Sequence, residues 1–513
     1  MERFLQKHAD KVTGVLSCFD RVLFKGHLPI CSPGGMATLL DRHGVLIKDL
    51  RAFVQHHSGR IKEHARAMCQ RAGRPYVHVC RRQRKEHLVE TILRRHPVTE
   101  GLVCVLAAVE GCTSFRVGHD RKHVRPQLRC ERRKCLCLYY YFLDPDFGLL
   151  HVRLQSWFPL TIQVCLNGHH WLARQMDRAG IAYRQVDNAF VYLGDPQRAQ
   201  ALADRFARLR WPRILGQLAR RVCPLFEDLL KAMEYYWVSE QAEYATDVLF
   251  RGRASLCDLY ENLLRHATLC FRAEDVMRFL GRKLHGCFAG DIVQQAKRRW
   301  PGARIRHRMK GNWIKMYDKH GVILRVETVI NHPYEFRVRR RGVRKGREVV
   351  DWFPLPKGVC HLWRYAQVSL RANCRYLQAL AEVEDPTEAR RDLRRLTTAK
   401  KWRSRRLRGL HPLDASDGAL FQAVLAGEHA INGFTNRDIR QRLFGTPSRD
   451  GAERRRQSAR VTRKLQLLRA HGLIRKIPRR HLYRPTDRGL RCMAAAIYLR
   501  EAEFPNILQP TAA

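Results

Sequence analysis

The chain has 513 residues, 45% of them hydrophobic, which is material for about two to four domains with real cores and excludes a disordered polymer. Its 96 Lys+Arg against 48 Asp+Glu give a net charge of +48; such an excess repels itself unless a polyanion neutralises it, and nucleic acid is the usual one. The best apolar run, "GLVCVLAAV" at 101–109, is too short to span a bilayer, and the start "MERFLQKHADK" lacks the apolar core of a signal peptide. These features point to a cytoplasmic protein with no membrane partner.

Residues 1–225 read as a mixed α/β N-terminal region. "GVLSCFDRVLFKGHLPI" reads as strands around a turn, and the segment from Gly34 to Gly73 reads as helices with apolar residues three and four apart. Strands dominate from Gly101, through "LVCVLAAVE", "KCLCLYYYFLD", "LLHVRLQSWF" and "LTIQVCL". Two helices follow, "HHWLARQMDRAG" ending at Gly180 and "DPQRAQALADRFARL" opened by Asp195-Pro196. The 17 cysteines form no C-x-x-C pair, so a zinc site has little support. Cys135 and Cys137 instead read as same-face strand residues that pack as small apolar side chains.

Residues 235–385 read as an α+β central domain. "EYATDVLFR" is a short strand, and helical stretches include "ASLCDLYENLLRHATLCF", "AEDVMRFLGRK" and "GDIVQQAKRRW". The strands "RIRHRM", "WIKMYDK", "VILRVETVI" and "EFRVRR" and a helix, "CHLWRYAQVSLRANCRYLQALAEV", complete it. Residues 386–411 hold ten Lys/Arg against two acids and read as a basic linker able to track phosphates.

Residues 412–500 hold three helices, the first capped by Asp414 or Ser416 and the second by Thr435, then two short strands around Arg479-Arg480 and a closing helix. The stretch "VTRKLQLLRAHGLIRKIPRRHLYRPTDRG" resembles bacterial winged-helix DNA-binding domains. On the third helix Val461, Leu465 and Leu468 share a core face. Arg456, Arg460, Arg463 and Lys464, with Arg475, Lys476, Arg479 and Arg480 on the wing, are then the candidate nucleic-acid contacts.

In "GNWIKMYDKHGVILRVETVIN" (311–331) a three-residue loop, Lys319-His320-Gly321, makes a hairpin. That loop pairs Asp318 with Val322, Met316 with Leu324 and Ile314 with Val326, and sets Trp313 opposite Glu327. One face is apolar; the other carries Lys315, Tyr317, Arg325 and Glu327. Glu327 can serve as a structural partner of Lys315 or Arg325. The stretch also resembles the K-x-Y-D-K…L-R-x-E segment of rolling-circle replication initiators, and the whole chain resembles a family of long bacterial proteins.

The resemblance to initiators implies a sheet carboxylate that helps hold a divalent metal, Mg2+ or Mn2+, and a tyrosine that cuts a DNA strand. Glu327 and Asp247 are the candidate metal ligands, Lys315 and Arg325 the phosphate contacts, and Tyr376 the first candidate nucleophile, with Tyr317 or Tyr365 as alternatives. Asp318 fits a turn role better. A clean His-hydrophobe-His pair is absent: His169 and His170 are adjacent and diverge on a helix. A second acidic set, Glu110, Asp144, Asp146 and Asp187, ranks below Asp247 and Glu327.

The sequence thus predicts a multidomain α+β protein: a mixed α/β N-terminal half, an antiparallel-sheet central domain and a C-terminal winged helix. The leading function is a DNA-binding mobile-element protein, transposase-like or replication-initiator-like, that nicks or transfers a strand with a divalent metal. A non-enzymatic winged-helix transcriptional regulator and an RNA-binding protein are the alternatives. Oligomeric state and target sequence are not legible.

Overall fold

The computed structural model describes residues 1–80, 83–120, 125–269, 271–282, 288, 290–299, 302–381, 394–402, 404–412, 414–426, 429, 433–445, 450–478, 480–498 and 500. They fall into two compact units, Met1–Ala381 and Glu382–Ala513.

The first unit opens with α1 (Glu2–Lys7), β1 (Val12–His27), α2 (Pro33–Arg42), α3 (Leu50–Arg71), β2 (Tyr76–His78) and α4 (Lys85–Arg95). Four strands follow: β3 (Gly101–Asp120), β4 (Arg125–Asp144), β5 (Gly148–Gln155) and β6 (Ile162–Asn167). Then come α5 (Gly168–Arg178), the hairpin β7 (Tyr183–Val186) and β8 (Ala189–Leu193), α6 (Pro196–Phe206) and α7 (Trp211–Val222). The chain continues through β9 (Tyr236–Phe250), α8 (Arg253–Leu269) and α9 (Ala273–Phe279). Four more strands follow, β10 (Ile292–Arg299), β11 (Gly302–Met309), β12 (Asn312–Lys319) and β13 (Ile323–Ile330). The hairpin β14 (Arg337–Arg344) and β15 (Arg347–Pro354) and the helix α10 (Leu362–Leu380) close the unit.

One 11-stranded sheet runs through this unit in the order β10-β11-β12-β13-β9-β1-β6-β5-β4-β3-β2. Setting the edge strand β2 aside, the order is a topology used twice. A long strand (β1 or β9) leads through helices to a four-strand meander, whose last strand (β6 or β13) returns to pair with the first. Each meander is followed by a hairpin outside the sheet and by a helix against the first strand, α6 on β1 and α10 on β9. The segments 1–225 and 235–385, expected as separate domains, share this sheet through the antiparallel pairing of β1 with β9. A buried strand such as β9 needs hydrogen-bonding partners on both edges, and β1 and β13 supply them.

Three local expectations change. "GVLSCFDRVLFKGH" lies within one 16-residue strand, Val12–His27, not in strands around a turn, and the irregularity at Asp20-Arg21 is a bulge. "IVQQAKRR", expected as helix, is β10, because pairing with the edge of β11 overrides a local helical composition. In the β12–β13 hairpin Lys319 pairs with Ile323, Lys315 with Glu327 and Trp313 with Val329, two residues from the expected register. A shift of two preserves the faces, so Lys315, Tyr317, Arg325 and Glu327 still stand together.

On β9 to β13 one face is sealed by helices. Ile305, His307, Met309, Ile314, Met316, Leu324, Val326 and Thr328 are fully buried there. Asn373 of α10 accepts from Thr328 Oγ1 (2.7 Å) and donates to the Tyr244 carbonyl and Thr246 Oγ1 (both 3.1 Å), which pins α10 across the two strands. By strand alternation Arg304, Arg306, Arg308, Trp313, Lys315, Glu327 and Glu243 stand on the other face.

The second unit holds the hairpin β16 (Lys400–Trp402) and β17 (Arg405–Leu407), α11 (Ala415–Val424), α12 (Asn436–Phe444) and α13 (Gly451–Ala470). The short ladder β18 (Ile474–Lys476) and β19 (Tyr483–Pro485) and α14 (Asp487–Tyr498) follow. Asp414 caps α11, and Thr435 with Asp438 forms a capping box on α12. Val461, Leu465 and Leu468 enter the core as their spacing requires. Leu396 and Leu410, from the stretch expected as a linker, are fully buried in that same core, so the described part of the arm is an integral piece of the second unit. Among the described residues no helix is long and apolar enough to cross a membrane.

Truncating a buried leucine to alanine costs about 2–5 kcal/mol, whereas a solvated linker leucine costs under about 0.5 kcal/mol. Leu396→Ala should therefore destabilise the second unit by the larger amount in urea denaturation.

Candidate metal centre

Three carboxylates meet on the face opposite the one that α10 covers. Asp20, Glu243 and Glu327 are all buried, and one oxygen of each lies within 4.8 Å of the others. The bulge in β1 creates the meeting. Between the pairs Phe19–Tyr244 and Val22–Ala242, Asp20 and Arg21 together oppose the single residue Glu243. An extra residue re-aims the strand's side chains, here bringing both an acid and a base to Glu243. Arg21 Nη2 lies 2.7 Å from Glu243 Oε1.

Glu327 arrives from β13. Lys315 Nζ donates to its Oε1 (2.7 Å) and the Tyr317 hydroxyl to its Oε2 (2.7 Å), while Lys315 Nζ is also 3.8 Å from Glu243. Burial pushes the Glu327 carboxyl up, but Lys315 and the two hydrogen bonds outweigh it, and the group lies below the ordinary glutamate value. Glu243 goes the other way. Burial and the negative charge of Glu327 push it up to about 7, so near neutrality Glu243 is partly protonated.

Beside this cluster, Arg325 is fully buried and forks onto Asp247, with Nε to Oδ1 at 2.6 Å and Nη2 to Oδ2 at 2.7 Å. Its Nη2 also donates to the Asn188 carbonyl (2.7 Å), and Nη1 lies 3.5 Å from Asp20. His169 stands between the acids, Nδ1 3.2 Å from Asp20 and Nε2 3.8 Å from Asp247. It is held there because Asn167 caps α5 by accepting from the His169 and His170 backbone amides. Burial would lower the His169 pKa, but its surroundings, Cys18 and the two aspartates among them, raise it. Both aspartates lie below the ordinary value despite burial, chiefly through Arg325.

The sequence-based candidates separate accordingly. Glu327 and Lys315 are in the cluster. Asp247 is not its second carboxylate, since the Arg325 fork occupies it; Asp20 and Glu243 take that place. Arg325 is sealed from solvent with its Nε and Nη2 committed to Asp247 and the Asn188 carbonyl, so it organises the site and is not presented to a phosphate. Tyr376, the first candidate nucleophile, is fully buried on the helix-covered face with its hydroxyl 3.0 Å from His307 Nε2, remote from the acids by strand alternation. Tyr365 is likewise buried and donates to the Pro356 carbonyl, whereas Tyr317 touches Glu327. Asp318 accepts from the Gly321 amide, a turn role.

Of the second acidic set, Glu110 is held by Lys85, Tyr139 and Arg153, Asp144 caps its own turn, Asp146 pairs with Arg178, and Asp187 is exposed. In the second unit Arg456, Arg460, Arg463, Arg475, Lys476 and Arg480 are exposed, and Lys464 reaches Ser416 Oγ (3.4 Å). Arg479 lies outside the described residues.

Asp20 and Glu243 were not singled out in the sequence, and His169 was set aside there because it and His170 diverge on a helix. The signal for Asp20 was present: "DRVLFKG" at 20–26 nearly repeats "DVLFRG" at 247–252, an acid leading an apolar run in each. His169 carried no such mark. No known protein-family model, curated protein or solved structure matches this chain.

Three carboxylates without sulfur are a donor set for a hard divalent cation such as Mg2+ or Mn2+. Two tests follow from the electrostatics. Asp247→Ala leaves Arg325 buried without its main partner and should cost about 3–5 kcal/mol in urea denaturation. The raised Glu243 pKa means that its protonation favours the folded state, so its contribution is full below the unfolded value of 4.5 and is lost as pH rises through about 7. Glu243→Gln should therefore flatten the fall in Tm across that window.

Proposed function

We propose that the chain binds DNA and cuts or transfers a strand at the Asp20–Glu243–Glu327 cluster with a divalent cation. One observation carries the reading: the three acids converge on the sheet face that also presents Lys315, Trp313 and the arginine row Arg304, Arg306 and Arg308. A polyanion laid over those cations comes to the carboxylates as their neighbour. The Arg306 guanidinium already lies over the Trp313 ring, 5.0 Å from its centroid, which keeps a flat, cationic surface beside the acids.

In this reading Asp20, Glu243 and Glu327 would hold the cation, whose chemistry is to neutralise phosphate charge and activate a nucleophile. Lys315 positions Glu327 and stands ready to pair with phosphate. Tyr317 holds a proton on the Glu327 hydrogen bond, and it is the one tyrosine among the sequence-based candidates that reaches the cluster. The second unit supplies affinity. Its helix–helix–helix–ladder–helix order and the bridge from Phe434 to Tyr483, which adds a third extended segment, support a winged-helix reading with α13 and the β18–β19 wing as the basic contacts. A cytoplasmic mobile-element protein, transposase-like or replication-initiator-like, fits these parts.

A second reading has its own support. Lys315, Arg21 and Tyr317 already satisfy the carboxylates, as in a structural ion-pair network, and the protein would then be a winged-helix regulator or an RNA-binding protein without catalysis.

The wild type should nick supercoiled DNA with Mg2+ or Mn2+. Asp20→Asn and Glu327→Gln should each lower cleavage by about a hundredfold or more while duplex affinity holds. No cleavage of supercoiled or single-stranded DNA with either cation would favour the regulator.

A further inference from the structure

The β14–β15 hairpin stands apart from both the large sheet and the carboxylate cluster. It forms a two-stranded sheet of its own, eight residues on each side, roughly 26 Å long at about 3.3 Å per residue. Its base is anchored: Phe336 and Leu355 are buried, the Leu355 amide donates to the Phe336 carbonyl (2.9 Å), and Arg364 of α10 donates to the Arg339 carbonyl (3.0 Å). Its tip is closed by Lys345 and Gly346, both at positive φ (51° and 77°), the two-residue turn that matches strand twist.

Register sorts the faces. Arg337, Arg339 and Arg341 lie in a row along β14, opposite Pro354, Trp352 and Val350. Trp352 is 55% exposed, Val350 55% and Val343 65%, an apolar edge left in water beside a cationic row. The stretch 337–351 holds seven Lys/Arg and two acids, and one of the acids, Asp351, is taken by Arg344. Arg344 also sits directly opposite Arg347, a like-charge pair that destabilises a free ladder.

We infer that the β14–β15 ribbon is a duplex-binding arm that enters a DNA groove, with Arg339 and Arg341 on phosphates and Trp352 and Val350 against bases or sugars. A two-stranded ribbon has the width that a B-form major groove admits, and the deep, narrow major groove of A-form RNA does not accept it. The charge is complementary to a polyanion, and neutralisation relieves the repulsion built into the ladder. The inference deepens the proposed DNA-binding function, but it does not depend on the carboxylates.

The test uses the full chain and fluorescence anisotropy on labelled duplex DNA, single-stranded DNA and duplex RNA across a salt series. Arg339→Ala/Arg341→Ala/Arg347→Ala should weaken duplex DNA binding at least about tenfold and lower the salt slope by about 2 to 3, with Tm unchanged. Trp352→Ala alone should weaken duplex binding without changing the slope. Equal losses on all three nucleic acids would overturn the groove assignment, and unchanged duplex affinity in both variants would overturn the arm altogether. If the wild type binds no duplex, the proposed function itself fails, a result distinct from either.

Discussion

The buried fork between Arg325 and Asp247 is the interaction on which the rest of the first unit depends. Arg325 is sealed from water, so its charge is tolerable only with carboxylates on it, and β9 and β1 each bring one. The same guanidinium takes the Asn188 carbonyl from the β7–β8 turn, and His169 joins from the start of α5. Five segments of the first unit are thereby tied at the junction between the two topological halves. A slip of one residue in β13 would turn Arg325 onto the helix-packed face beside Ile314 and Met316 and drive Leu324 and Val326 off it, so the fork also fixes register.

That fixed register determines what lies beside it. Two residues along β13, Glu327 is carried to Lys315 and Tyr317 on β12, and the β1 bulge delivers Asp20 and Arg21 to Glu243. The cluster contains an unequal pair of glutamates, one held low by Lys315 and its hydrogen bonds, the other raised by burial and by its neighbour. The arginine row on β11 lies on the same face of the sheet.

Much of this was legible in particular residues. Period-2 alternation in 313–317 and 324–328 placed Lys315, Tyr317, Arg325 and Glu327 on one face, and a register error of two left that conclusion intact. Helix caps at Asp195, Asp414 and Thr435 are as read. What failed was long-range. Asp247 looked like the partner of Glu327 because both are acids in apolar runs, but the pairing that decides, Arg325 opposite Asp247, depends on which strand lies beside β13. Tyr376 sat at a plausible spacing on an amphipathic helix, and only the side on which α10 packs reveals that its hydroxyl faces His307. The joining of two halves through β1 and β9, more than 200 residues apart, leaves no local trace, and neither does the pairing that makes a strand of Ile292–Arg299.

The central claim is that Asp20, Glu243 and Glu327 act as one cation centre, and calorimetric titration of the full chain with Mn2+ tests it most directly. The account predicts one ion per chain with proton release near neutral pH, abolished in Glu243→Gln and Asp20→Asn and retained in Glu110→Gln, which alters an equally paired acid elsewhere on the sheet. Binding that is absent from the wild type, or that survives both cluster substitutions, would contradict it.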